Sequence, residues 1–381
     1  MFKRSILLAL LLGMTSSLPA AAQYAARRNG GIVELEDAKN KTVVSINVPG
    51  GNHTDAMKVN GHDVLRSQGI PFLAPWANRL DEQAFWANGK RYAFDMDLGN
   101  VRGANPSQGF LGRSDQWQVV ELKADGKSAW LTSRLDVYKQ PMAMKQWPFA
   151  HTIEMTHRLQ DGVLQIQTTL HNMSAEPMPA TIGFHPYYRL DDSPRDQWTV
   201  TVPAKTHWLL ANTKVATGET EPGEQFFPNG QGQLKDYNLD DVFSDLTRDA
   251  EGKAHIFLKG TGKQQIELIH GPNFKAMVVW SPNPLGTGKG SQALSTGAPR
   301  GAQPPAAAAA PAAGAAAPAA AGRGGRGGGN ANNDPNFIAF EPQAGPTNAL
   351  NLAQKGLYKD LQYVPPGGTW TESFWIKPSG F

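Results

Sequence analysis

The chain has 381 residues, with 36 lysines and arginines, 33 aspartates and glutamates, and a formal net charge of +3. Several basic residues lie outside the part expected to fold: Lys3 and Arg4 near the N-terminus, and others in residues 286–333, which contain no acidic residue. The remainder is slightly acidic, which removes the main electrostatic support for nucleic-acid binding. The chain has no cysteine, and this excludes disulfides, thiol nucleophiles and thiolate metal sites.

The first 22 residues have the features of a secretory signal peptide. Lys3 and Arg4 precede an apolar stretch at residues 6–12, and three alanines at 20–22 resemble a cleavage site. The apolar stretch is too short to span a bilayer. We therefore expect cleavage near residue 22, export to the periplasm or the medium, and no stable membrane span afterwards. An uncleaved N-terminal anchor is the alternative.

Residues 23–381 read as short strands separated by turn residues and predict one all-β domain. Apolar and polar residues alternate within the strands, and Gly, Asn, Asp and Pro mark the joints between them. Long amphipathic helical patterns are nearly absent, so a large antiparallel β-sandwich is expected. The candidate strands are residues 32–35, 42–48, 117–122, 129–135, 149–159, 163–172, 198–202, 254–258, 265–270 and 276–280.

A low-complexity segment, residues 286–333, interrupts this domain. Between residues 300 and 330 it consists almost entirely of Ala, Pro, Gly and Arg, and the prolines and glycines interrupt its alanine runs. Such a composition buries too little apolar surface to offset the entropy of ordering. Because strand-like sequence flanks it on both sides, we interpret it as a disordered insertion in one domain. It could serve as an interaction segment or be a tolerated loop.

The stretch TIGFHPYYRL, residues 181–190, reads as a strand that ends at a histidine. Pro186 stops regular strand pairing, which favours a position for His185 at the rim of a sheet. A histidine there can be a buried residue with a satisfied partner, and it can also be a proton donor or acceptor.

The stretch FIAFEPQAGPTNALN, residues 337–351, runs from an apolar strand straight into Glu341. A buried carboxylate is unfavourable unless it is solvated, paired or used, and burial raises its proton affinity to the range of a general base near neutral pH. A carboxylate at the rim that caps the following turn fits the same letters.

Three other stretches hold candidate polar groups. LDDVFSDL, residues 239–246, has adjacent carboxylates and by itself is typical of a loop or a helix cap. PFLAPWANRL places Asn78 and Arg79 after an aromatic stretch, and SQGFLGRSDQW carries Gln108 before a glycine.

The order of these stretches resembles the aldose 1-epimerase (galactose mutarotase) family. The resemblance extends from about residue 32 to the C-terminus, without the insertion, and rests on the motifs NRL, GFLGR, HPYYRL, DDVF and FEPQAGPTNALN. It implies a mutarotase-like β-sandwich with an open sugar site, which interconverts the α and β anomers of aldoses without a cofactor or a metal.

The resemblance also implies roles for individual residues. Glu341 matches the catalytic base that takes the proton from the C1 hydroxyl, and His185 matches the acid that protonates the ring oxygen. We expect the two groups on opposite sides of the C1–O5 unit. Arg79 and Asp240 match sugar-binding residues, with Asp241 as the alternative if the register differs by one. Asn78 and Gln108 are further candidates for binding the sugar, and Tyr187 and Trp76 are candidates for stacking on it.

One position departs from the family pattern. Many members carry a histidine where Gln108 stands, and glutamine can donate a hydrogen bond but cannot titrate near neutral pH. Three readings therefore stay open: an aldose 1-epimerase, a catalytically weak sugar-binding protein of the same fold, and a sugar-phosphate epimerase that uses additional arginines. The aldose and the oligomeric state are not indicated by the sequence.

Overall fold

The protein is described here by a computed structural model, which covers residues 23–97, 101–291 and 334–381. The expected signal peptide and most of the expected insertion lie outside the described residues. The strands are β1 Tyr24–Asn29, β2 Ile32–Asp37, β3 Thr42–Asn47, β4 His53–Val59, β5 His62–Asp63, β6 Phe72–Leu73, β7 Ala84–Ala87, β8 Lys90–Ala93, β9 Val101–Arg102, β10 Asn105–Pro106, β11 Gln118–Ala124, β12 Ala129–Asp136, β13 His151–Gln160, β14 Val163–Asn172, β15 Met178–Ala180, β16 Gly183–Phe184, β17 Thr199–Thr201, β18 Ala204–Leu210, β19 Ala216–Pro222, β20 Gln231–Gln233, β21 Leu239–Leu246, β22 Ala254–Lys259, β23 Gln265–His270, β24 Ala276–Ser281, β25 Ala339–Gln343, β26 Gln362–Val364 and β27 Thr369–Ser379.

The helices are short and sit in the connections. They are α1 Pro141–Gln146, α2 Gly223–Phe226 and α3 Ala349–Gln354, together with 3₁₀ turns at Val137–Lys139, Arg195–Gln197, Pro228–Gly230 and Leu234–Asp236.

Two large antiparallel sheets enclose the main core. A nine-stranded sheet has the order β11-β12-β13-β14-β27-β23-β22-β17-β20, and a seven-stranded sheet has the order β19-β18-β21-β24-β25-β16-β6. Phe184 of the second sheet meets Phe374 of the first at a ring-centroid distance of 4.8 Å. A five-stranded sheet, β1 to β5, adjoins them. The expected all-β sandwich is confirmed.

The alternation of apolar and polar side chains correctly predicted ten of the strands. All ten candidates are strands, and residues 163–172 and 265–270 match β14 and β23 without adjustment. Residues 239–246, which read as a loop or a cap, instead form β21. This strand pairs with β18 and β24 in the middle of its sheet, so pairing on both edges overrides the weak strand propensity of its acidic residues.

One part of the outer face of the seven-stranded sheet is covered by other elements, and the remaining part is open. Val242 and Val278 project to this face, whereas their neighbours Phe243 and Val279 belong to the main core. Helix α3 and Tyr358 cover the two valines and form a second apolar cluster. The rest of the face, from β21 to the end of β16, holds the candidate site.

Three buried histidines make the fold sensitive to acid. Burial lowers the pKa of His151 to about 4 and the pKa values of His157 and His270 to about 3. The unfolded chain binds these protons first, near a pKa of about 6.5. Stability is therefore fully present above that pH and is lost as the pH falls toward the folded values.

We predict that replacing His157 by Leu flattens this loss. The unfolding temperature of the H157L variant should fall less than that of the wild type between pH 6.5 and pH 4, because one proton-linked group has been removed. H171L, on the neighbouring strand with a partly exposed ring, is the matched control. Equal slopes for the wild type and H157L would show that this imidazole is not held neutral.

Candidate functional site

The strand order of the seven-stranded sheet collects the residues of the site. Asp240 lies on β21, Trp280 on β24 and Glu341 on β25, and His185 follows β16 directly. These four strands are neighbours in the order β21-β24-β25-β16. Residues that are far apart in the sequence therefore lie side by side on one face.

The pairing of β16 with β25 sets which side chains meet. Gly183 pairs with Gln343, and an isolated bridge beyond the named strands keeps the same register. Two residues after Gly183 and two residues before Gln343, this register puts His185 opposite Glu341. Directly opposite residues of an antiparallel pair project to the same face with their Cβ atoms about 5 Å apart.

A second row of the same face forms an aromatic wall. Tyr187 stands opposite Ala339, which pairs with Trp280, which in turn pairs with Asp240. Because Ala339 is small, the rings of Tyr187 and Trp280 face each other across it, with centroids 5.8 Å apart at 87°. The His185 ring stacks on Tyr187 at 4.6 Å and 15°. The wall thus fixes the orientation of the imidazole.

The histidine and the glutamate of the site are in direct contact. His185 Nε2 lies 3.1 Å from Glu341 Oε1, and both side chains are almost completely buried. The contact is an ion pair only when the imidazole is protonated. The structure differs here from the expected placement on opposite sides of the C1–O5 unit, because the two side chains project from one sheet face and touch.

Burial shifts both groups toward their neutral forms. It lowers the pKa of His185 to about 4, and the charges of Arg79 and Arg102 act in the same direction. It raises the pKa of Glu341 well above its ordinary value, and the charge of Asp240 adds to this, whereas a hydrogen bond from Gln343 and the charge of Arg79 oppose it. The opposite shifts are those expected of an acid and base pair that works near neutral pH.

The carboxyl group of Asp240 borders the pair of His185 and Glu341. Burial raises the pKa of the half-buried Asp240, while the charges of Arg79 and Lys214 act to lower it. Arg79 acts on Asp240, Glu341 and His185 and therefore lies close to all three. The structure thus brings together four of the predicted residues: Arg79, His185, Asp240 and Glu341.

The two adjacent carboxylates on β21 have separate surroundings. Asp240 faces the site, and Asp241 points to the opposite side of the strand, where it is fully buried. Asp241 accepts hydrogen bonds from His207 Nε2 at 3.0 Å, from the Ser291 hydroxyl at 2.7 Å, from the Ser291 backbone N–H and from the Asp240 N–H. This filled set of donors is the pattern of a structural carboxylate.

Asn78 and Gln108 lie on adjacent chain segments beside Arg79. The Gln108 N–H donates to the Asn78 carbonyl at 2.6 Å, and Arg79 bridges to the residue before Gln108. Gly109 follows, and a Cβ there would lie 2.0 Å from the carbonyl oxygen of Ala74. The glycine of this motif therefore allows the two segments to approach, which brings Gln108 next to the arginine.

One expected stacking residue has a different role. Trp76 is buried and contacts Phe94, Phe110 and Trp147, so it belongs to the core because its ring has no open face. Three other residues lie at the site that no sequence motif had indicated: Trp280, Lys214 and Gln343. An apolar strand that ends in tryptophan was a usable signal for Trp280, whereas nothing in the sequence distinguishes Lys214 from a surface lysine.

The family model for aldose 1-epimerase matches residues 38–316, well over half of the chain. The chain belongs to the aldose 1-epimerase family. The matched range includes Arg79, His185 and Asp240 and ends before Glu341. The assignment of Glu341 to this aldose 1-epimerase site therefore depends on its position opposite His185 in the sheet.

Solved structures with the same fold cover nearly the whole chain. A galactose mutarotase-like protein from Clostridium acetobutylicum is 16% identical, with a TM-score of 0.70 and coverage of 94% of this chain and 98% of that one. Galactose 1-epimerase from Lactobacillus acidophilus is 12% identical, with a TM-score of 0.62 and coverage of 93% and 98%. An aldose epimerase homologue from C. elegans is 15% identical, with a TM-score of 0.62 and coverage of 90% and 96%. At these identities the likeness establishes the fold.

The described ranges lack a metal-binding cluster and a membrane-spanning helix. In residues 23–97, 101–291 and 334–381, no group of three or more His, Asp or Glu side chains is arranged to hold a metal ion. Over those ranges no helix has the length and apolarity needed to cross a membrane.

We predict opposite outcomes for the two neighbouring aspartates. Asp241→Asn should lower the free energy of unfolding by about 1–3 kcal/mol, because an amide cannot satisfy all the donors that surround the carboxylate. Asp240→Asn, the matched control, should change stability much less, since Asp240 is only half-buried on the outer face of the sheet. Urea unfolding of both variants gives the comparison, and a larger loss for D240N would contradict the assignment.

Proposed function

We propose that the protein is an aldose 1-epimerase (mutarotase) that interconverts the α and β anomers of a free aldose. The observation that carries this proposal is the 3.1 Å contact between the buried side chains of His185 and Glu341 on a sheet face with an aromatic wall and adjacent charges. A structural ion pair has no need for Tyr187 and Trp280, both partly exposed, beside it.

The chemistry requires one proton to leave the sugar and another to arrive. In the working state Glu341 is a carboxylate and His185 an imidazolium. The carboxylate takes the proton of the C1 hydroxyl while Nε2–H gives its proton to the ring oxygen, the C1–O5 bond breaks and a C1=O1 carbonyl forms. After rotation about C1–C2, the reverse steps close the ring on either face.

The direct contact explains how a buried pair reaches that state. Burial favours a neutral imidazole beside a neutral carboxyl group in the empty site. Moving one proton from Oε1 to Nε2 along the contact gives the imidazolium and the carboxylate without a proton from solvent. The neutral form is also the proton state of the ring-opened complex, so the pair returns to it in each half of the cycle.

The surrounding residues suit a pyranose. The half-exposed rings of Tyr187 and Trp280 offer apolar surface to the C–H groups of a sugar ring. Asp240 accepts hydrogen bonds from sugar hydroxyls, and Arg79 and Gln108 donate to them. Asn78 holds the backbone of Gln108 in place. The reaction needs no cofactor, metal or nucleic acid.

We predict that Glu341→Gln and His185→Asn each slow anomer exchange roughly 100-fold or more, the usual scale for losing an acid or a base. Glu341→Gln keeps the size of the side chain and His185→Asn keeps a hydrogen-bonding amide, and both remove the ability to exchange protons. Exchange between the α and β anomers of several aldoses is measured by NMR saturation transfer.

H255N is the matched control, because it changes the histidine of another His–Glu pair, 2.8 Å apart on β22 and β23 of the nine-stranded sheet, without touching the proton-transferring pair. It should retain most of the rate. Folded E341Q or H185N protein with undiminished exchange would exclude this pair as the acid and base.

The pH dependence of kcat/KM should form a broad plateau across neutrality. Activity requires one proton on the pair, so it falls when a second proton binds near the lowered pKa of His185, about 4, well below the ordinary 6.5. It also falls at high pH, when the raised pKa of Glu341 is passed and the pair loses its proton. The two apparent pKa values that these limbs report belong to the coupled pair and not to a single residue. An acidic limb near 6.5 would indicate an imidazole open to solvent.

A second candidate is a carbohydrate-binding protein with weak catalysis, favoured by Gln108 at the position where many family members have histidine. Polarimetry with several aldoses and a hexose phosphate separates the possibilities. Measurable binding without a rate above the spontaneous one supports the binder, and turnover restricted to the phosphorylated sugar supports a sugar-phosphate epimerase.

We also propose that the protein is exported, on the basis of the charged, apolar and small-residue pattern of residues 1–22. Fractionation of cells that express the full chain, with N-terminal sequencing of the product, tests this. Cytoplasmic protein that retains residue 1 would contradict it.

A further inference from the structure

Lys214 stands at the edge of the site in an unusual backbone conformation. It lies in the turn between β18 and β19 with φ of 62°, the left-handed region that non-glycine residues rarely adopt. Two backbone hydrogen bonds across the turn, from Lys214 N–H to Ala211 and from Ala211 N–H to Val215, hold it there. A strained conformation that is fixed by its surroundings is a reason to look for a function.

The half-buried side chain of Lys214 lies beside the start of β21. Trp208 of β18 pairs with Val242 of β21, and this register carries the turn that follows β18 past Asp240. Nζ donates a hydrogen bond to the carbonyl of Ser291, and its charge acts on Asp240. Burial lowers the pKa of Lys214, and the charges of Asp240 and Asp241 oppose this shift. The ammonium is thus a fixed positive charge beside the carboxylate that faces the sugar.

The residue that receives this bond is itself held rigidly. Ser291 donates its N–H and its hydroxyl to Asp241, which also accepts from His207. The other ring nitrogen of His207 lies 2.8 Å from Glu221 Oε1, and Phe226 and Phe243 contact the ring. This chain of hydrogen bonds fixes the position of Ser291 and, through it, of Nζ.

The backbone before Ser291 is equally constrained. Gly290 has φ of +137°, and a Cβ there would lie 2.3 Å from the carbonyl oxygen of Asn238. The Asn238 N–H donates to the carbonyl of Lys289 at 2.8 Å. This close approach fastens residues 289–291 along the start of β21, next to Asp240.

Lys214 keeps donors for a ligand. Within the described part of the chain its ammonium makes one hydrogen bond, to Ser291, and an ammonium has three N–H groups. Asp240 beside it supplies acceptors, and Arg79, whose charge acts on both Asp240 and Lys214, supplies more donors. Each hydroxyl of a vicinal diol donates one hydrogen bond and accepts others. An acceptor with two cationic donors near it therefore complements two neighbouring hydroxyls.

We propose that Lys214 is a sugar-contacting, specificity-determining residue that, with Asp240 and Arg79, recognises a vicinal diol of the aldose. The inference rests on the proposed function, because it places the diol in the same site as the anomeric centre. Lys214 takes no part in the proton transfer and contributes to binding.

The test compares K214M, which keeps the aliphatic stem, with K214R, which keeps the charge. K214M should raise KM and the calorimetric Kd for an accepted aldose roughly tenfold or more, the scale of a hydrogen bond to a charged group, with kcat little changed. K214R should stay close to the wild type. K235M, at an exposed lysine that pairs with the adjacent Asp236, is the matched control and should leave KM unchanged.

A panel of monodeoxy aldoses locates the contact. Removing the hydroxyl that Lys214 binds should weaken the wild type and leave K214M unaffected, so that the two Kd values converge for that one sugar. This convergence does not depend on the stability of the variant, which a purely structural role would reduce for every sugar alike.

The outcomes separate the two proposals. Equal Kd values for K214M and the wild type, or an equal loss for all deoxy sugars, would overturn the role of Lys214. Tight binding by the wild type without anomer exchange would overturn the proposed function and leave the diol contact supported if the convergence is seen.

Discussion

The register between β16 and β25 is the constraint on which the site depends. It places an imidazole opposite a carboxyl group on one sheet face, and the side chains meet at 3.1 Å. A slip of one residue would turn one of the two into the core, because neighbouring side chains of a strand point to opposite faces. The core residues Phe184 and Phe340, each next to one of the pair, hold the register by filling the space between the sheets.

The same alternation separates function from structure on β21. Asp240 and Asp241 are chemically identical and adjacent, yet one faces the site and the other binds His207 and Ser291 behind the sheet. The buried carboxylate fastens the strand, and the half-buried one remains beside the cations Arg79 and Lys214. The charges on the two sides of this strand thus have different surroundings: one set holds the backbone and the other faces the candidate site.

Burial changes the chemistry of the pair and does not only enclose it. In water a histidine holds its proton to a higher pH than a glutamate does. Here burial lowers the pKa of His185 to about 4 and raises the pKa of Glu341 well above its ordinary value. The aromatic wall of Tyr187 and Trp280 keeps the imidazole in place.

The sequence by itself determined the fold class, ten of the strands and the family, because side-chain alternation and the motifs around His185 and Glu341 are local properties. It also indicated Arg79 and Asp240, through the resemblance. It could not determine that His185 and Glu341 touch, that Asp241 is structural, that Trp76 belongs to the core or that Lys214 borders the site. Those facts depend on strand order and register, which join residues far apart in the chain, and the physical reason is that pairing between distant strands is set by the packing of the whole core.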